Sequence, residues 1–183
     1  MSNVSTVPEQ PAAPFKYTVP FTAAANGGLM LAAKAERMEP TEIIQRATIR
    51  SLIASGYIKE EDADRIKLFW HLVDQTVAAA QDICRKGGFS SSITLDAIHQ
   101  CMADPAWLDG YKTYVRDDIF KNGNPEKGPI NREIGFRIRA GIEGVTERGP
   151  DGKAKTVKVL GEIIQSYTPM ADYDRATFGP KAA

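Results

Sequence analysis

Long apolar runs are missing from this sequence. No stretch approaches the roughly 18 consecutive apolar residues that a spanning helix needs, so no membrane span is expected. Residues 1–20 lack a basic segment followed by an apolar one, so no secretory signal is expected either. Cysteine is scarce. Cys84 and Cys101 are the only two, too few for a disulfide framework, which points to a reducing compartment: the cytoplasm, or a particle assembled inside the cell. Excess charge of either sign is missing too. With 23 Lys/Arg against 23 Asp/Glu, no global field draws the chain to nucleic acid or to an anionic membrane.

Several catalytic signatures are also lacking. Ser90-Ser91-Ser92 has no G-x-S-x-G elbow around it and no strand before it. Gly123-x-x-x-x-Gly128 opens like a phosphate loop, but Pro129-Ile130 stands where Lys-Ser/Thr is required, and a helix precedes it. Gly141-Ile142-Glu143-Gly144 has the spacing of a backbone clamp for nucleic acid, yet its middle pair is apolar and acidic. Ile134-Gly135-x-Arg137-Ile138-Arg139 could open a helix-turn-helix, but a hairpin pattern follows where the recognition helix belongs. Cys101 lies two residues from His99, and residues two apart on a helix do not face each other. No cofactor is implied.

What is present is helical periodicity. The strongest signal spans 59–86. At 100° per residue its polar side chains fall on a stripe about 120° wide, and the rest of the circumference is apolar. Such a helix needs more than one neighbour and reads as the spine of a core. Glu60, Glu61, Asp62 and Asp64 sit at the positive end of its dipole, Arg85 and Lys86 at the negative end, and Gly87 suits the turn that ends it. Thr41 can cap a helix that ends at Gly56, whose apolar residues lie on both sides, so that it is buried twice or meets a partner. Thr94 can cap a short helix to about residue 102. Asp104-Pro105 starts another over 106–121, and Asn131 caps one in which Ile130, Ile134, Ile138 and Ile142 recur every four residues. A helix over 29–37 follows the Asn26-Gly27-Gly28 break. After Gly144 the period changes, and Gly149-Pro150-Asp151-Gly152 between two short strand-like runs predicts a β-hairpin over 144–160.

The expectation is therefore a mainly α fold, a compact bundle of about five helices around the central helix 59–86, with a small C-terminal β-hairpin and extended termini. Residues 1–20, rich in proline, read as an arm, 21–167 as one domain and 168–183 as a tail. Phe15, Tyr17 and Phe21 in the arm, with Tyr173 and Phe178 in the tail, are the candidates for contact with protein partners or with further copies. On that ground the chain is expected to be a non-enzymatic structural or accessory subunit of a larger assembly.

Two alternatives stand beside it. Residues 121–158 hold nine Lys/Arg against five Asp/Glu, while 41–104 hold seven against nine. Arg132, Arg137, Arg139, Lys153, Lys155 and Lys158 could thus meet nucleic acid, although a pI near 6.7 falls short of a dedicated binder. His71-x-x-Asp74 and Asp96-x-x-His99 occur in opposite order on successive helices. If those helices are antiparallel, the four side chains could converge on a divalent metal and make a small metal-dependent enzyme. A solvated i,i+3 pair is the plainer account of His71 and Asp74.

Overall fold

The computed structural model describes residues 18–180. Among these, seven helices and two small antiparallel strand pairs form a mainly helical body. The spine is there: α3 (Glu60–Arg85) buries Ala63, Leu72, Val73, Thr76, Val77, Ala79, Ala80 and Cys84. It packs against α4 (Ile93–Met102), α5 (Pro105–Val115) and α6 (Lys127–Gly141), the several neighbours its broad apolar surface requires. Among the described residues no helix is long and apolar enough to cross a membrane.

The helix ends follow local chemistry. Asp104 caps α5 by accepting from the Ala106 amide at 2.9 Å, with Pro105 at the first position. That helix stops at Val115, earlier than expected, because Arg116 turns left-handed (φ 56°) and the Tyr114 and Val115 carbonyls are taken by Arg65 and Asn124. Helix α6 starts four residues before Asn131. Pro129 is tolerated in its first turn, where no intrahelical acceptor is needed. Asn131 is freed for other work: its amide donates to the Ile163 carbonyl at 3.1 Å and its oxygen accepts from the Tyr111 hydroxyl at 2.7 Å. Helix α1 (Ala23–Glu36) runs straight through Asn26-Gly27-Gly28, because the Thr22 cap and three alanines start it upstream of the glycines. Helix α2 (Pro40–Ala54) begins after Glu39, with Pro40 rather than Thr41 at its start.

The expected hairpin is only half made. The chain reverses where predicted, with Gly149 donating to the Lys153 carbonyl and Arg148 bridging to Ala154. Its arms then part. β1 (Val145–Thr146) pairs with β4 (Met170–Asp172), and β2 (Val157–Lys158) with β3 (Ser166–Tyr167). Residues 151–158 are exposed throughout and offer no apolar face to zip against β1. Met170, Ile163 and Ile164 are buried and anchor the two alternative pairings. The segment after Thr168 is therefore part of the body: β4 is followed by α7 (Arg175–Phe178), which packs on α3.

Candidate functional site

Helix α6 has two opposed faces, and each organises a polar site. On one side Ile130, Ile134, Ile138 and Gly141 enter the core, and Arg137 lies among them at 3% exposure. Arg137 donates to Glu42 of α2. Arg46 of α2, itself buried, donates from Nε to Glu42 at 3.0 Å and grips Asp74 of α3 with both terminal nitrogens, at 2.7 and 2.9 Å. Its guanidinium also lies over the Trp70 ring, 5.4 Å from the centroid. Burial would lower the pKa of Arg46, but its bonds and charge contacts with Asp74 and Glu42 outweigh burial and raise it. Glu133 reaches the same cluster without a bond of its own among the described residues. Burial, then the charge of Glu42, raises its pKa above the ordinary 4.5. This network clamps α2 to α3 and α6. It is a structural joint.

The other face of α6 carries Gly128, Asn131, Arg132, Gly135, Phe136 and Arg139, spaced by threes and fours. They form one wall of a cleft of about 630 Å³. The opposite wall comes from the strand region, including Thr146, Thr156, Ser166, Tyr167 and Thr168. Among the described residues no aspartate or glutamate lines it. Arg132 and Arg139 are exposed and make no ion pair among the described residues. Arg139 lies 5.3 Å from the Phe136 ring centroid, and that ring is 39% exposed. The N-terminus of α6 opens into the cleft, where the Asn124 side-chain oxygen accepts from the Glu126 amide at 2.8 Å. Lys127 is buried at this end and donates to the Lys121 carbonyl; burial lowers its pKa.

The six basic candidates thus divide. Arg132 and Arg139 share the cleft, and Arg137 is turned away into the clamp. Lys153, Lys155 and Lys158 are exposed outside the cleft lining, Lys155 paired with Glu147 at 3.0 Å and Lys153 facing Asp151 at 3.9 Å. Phe136 and Tyr167 were not singled out from the sequence. The available signal was an aromatic one helical turn beyond Arg132 on the face opposite the isoleucines.

The four metal candidates do not converge. Asp74 is held by Arg46, Asp96 accepts from Ser90 and Ser92, and His99 meets Glu162 at 2.7 Å. His71 is exposed on α3. Among the described residues no three His, Cys, Asp or Glu side chains are grouped to hold a metal ion. Both cysteines are buried and free, and burial raises Cys84 to about 11 and Cys101 in the same direction, which suits packing rather than nucleophilic attack.

Of the aromatic candidates, Phe15 and Tyr17 lie outside the described residues. Phe21 is exposed, whereas Tyr173 and Phe178 are core residues of this chain. Tyr173 stacks on Phe89 with centroids 4.5 Å apart, and Phe178 lies 4.2 Å beneath the Arg37 guanidinium. Exposed apolar side chains occur late in the chain, at Phe120, Phe136, Val145, Val157 and Leu160, and in a larger group earlier. Val19, Phe21, Met30, Leu31, Leu52 and Tyr57 surround the first two helices, and α1 buries only Ala33. Comparison with protein-family models, curated proteins and solved structures yields no match.

Proposed function

We propose that this chain is a structural or accessory subunit of a larger assembly, and that α1 and α2 form its docking face for further copies of the chain. One observation carries the reading: α1 is a helix without enough cover. It is 14 residues long, near the limit for a helix that stands alone in water. It holds two glycines in its interior, each costing about 1 kcal/mol relative to alanine. It packs on α2, buries a single alanine, and leaves Met30 and Leu31 exposed at 53% and 72%. Phe21, just before α1, and Leu52 of α2 are exposed as well. Zero net charge puts no long-range repulsion between copies, which favours the chain itself as the partner.

Size-exclusion chromatography with light scattering tests this. The protein is expected to elute as an oligomer at micromolar concentration. Met30→Glu with Leu31→Glu is expected to convert it to a folded monomer, since neither side chain supports the core. A native chain that is strictly monomeric, or an oligomer indifferent to both substitutions, removes the reading.

A further inference from the structure

We propose that the cleft between α6 and the strand region is a binding site for single-stranded nucleic acid, with Arg132 and Arg139 on phosphates and Phe136 beneath a base. This goes beyond the assembly role and rests on different residues. Two features of the cleft select for negative charge. Among the described residues its lining contains no carboxylate, and two guanidiniums stand in it without ion-pair partners. The hydroxyls of Thr146, Thr156, Ser166 and Thr168 on the far wall supply neutral donors for phosphate or sugar oxygens.

The aromatics narrow the anion. Phe136 exposes a ring between the two arginines in sequence, and Tyr167 faces across from the strand side. A simple inorganic anion has no use for an exposed ring, but a nucleotide base stacks on one. Arg132 and Arg139 are separated by seven residues, about 10 Å along the helix axis, which suits more than one phosphate. The surface also continues past the cleft. Phe136 and Arg139 are shared with a second recess of about 340 Å³, lined also by Lys34 and Arg37 and by two carboxylates, Glu39 and Glu143. Two recesses joined by an aromatic–arginine ridge fit an extended strand better than a compact ligand. A base-paired duplex cannot enter a recess of this size, whereas an unpaired strand presents both phosphates and base faces to it.

Fluorescence anisotropy with a labelled oligothymidylate tests the site, with a mononucleotide and an oligoglutamate peptide as competitors. The full chain is expected to bind the oligonucleotide with strong salt dependence. Arg132→Ala with Arg139→Ala is expected to reduce the slope of log affinity against log salt by about 1.4, the value for two phosphate contacts on a single strand. Phe136→Ala is expected to weaken binding by about fivefold or more. All three side chains are exposed, so folding is not at stake, and circular dichroism checks it. Lys112→Ala with Lys153→Ala removes the same charge outside the cleft and is expected to change little. Absence of salt-dependent binding overturns the proposal. So does an equal loss in the Lys112/Lys153 control, tighter binding of oligoglutamate, or binding of the mononucleotide without the oligonucleotide.

Discussion

At the scale of single residues, the joint that holds α2 to the body has one carboxylate too many. Arg46 and Arg137 are already matched by Glu42 and Asp74 through direct bonds. Glu133 shares their surroundings without such a bond, and burial raises its pKa. The folded state therefore holds a proton on Glu133 at pH values where the unfolded chain has lost it. The contribution of Glu133 to stability is then fully present below the ordinary glutamate pKa, and is lost as pH rises from there through the raised folded value. Glu133→Gln removes that penalty. It is expected to stabilise the protein at pH 7 against urea, with the gain vanishing near pH 4; an equal or reversed effect at both pH values shows that the arginines already satisfy Glu133. None of this joint was legible in the sequence. Arg46 and Arg137 sit on helices of mixed polarity, where an arginine reads as a solvated charge. Only the approach of three helices tells which guanidinium is enclosed, and that is why Arg137 was grouped with Arg132 and Arg139, two residues of the opposite face.

At the scale of elements, what could be read was whatever periodicity determines. The apolar circumference of α3 and the four-residue isoleucine repeat of α6 both describe the observed core faces, with Leu72, Val73, Ile130, Ile134 and Ile138 fully enclosed. What could not be read was how closely the two helices approach. Gly141 looks like a helix end in sequence, but it is a contact point: a Cβ there would stand 2.6 Å from Val77 Cγ1 on α3. Valine is stiff at χ1 and has no other rotamer to retreat to. Gly141→Ala is expected to destabilise the fold by about 1–3 kcal/mol, as overpacking does. Gly27→Ala is the contrast, because nothing lies within 4 Å of its would-be Cβ. It is expected to strengthen α1 by about 1 kcal/mol. Urea midpoints measure the first, and slower hydrogen exchange in the α1 amides the second. The same distinction explains the hairpin. Its reversal is local chemistry and was legible in Gly149-Pro150-Asp151-Gly152, but strand partners are chosen by distant burial, here of Met170, Ile163 and Ile164.

At the scale of the whole molecule, the chain closes on itself through its C-terminal segment. Residues after Thr168 show no periodicity because they cover rather than span the core, each apolar side chain filling a separate gap. Met170 is buried and takes the Ser91 carbonyl with its amide, Tyr173 stacks on Phe89, and Phe178 sits at 1% exposure with Arg37 above its ring. Burying side chains of this size contributes about 1.5–3 kcal/mol each. Three of them together approach the ~5–15 kcal/mol that holds an ordinary domain folded. Deleting residues 168–183 should therefore do more than remove a contact surface. The shortened chain is expected to lose its cooperative thermal transition and its near-ultraviolet circular dichroism while retaining some helical signal, because the core beneath Phe89 and α3 would stand open. The opposite result is equally informative. A truncated chain that melts within a few degrees of the native one, but no longer assembles, would return Tyr173 and Phe178 to the role of a docking tail and weaken the case for α1 and α2 as the docking face.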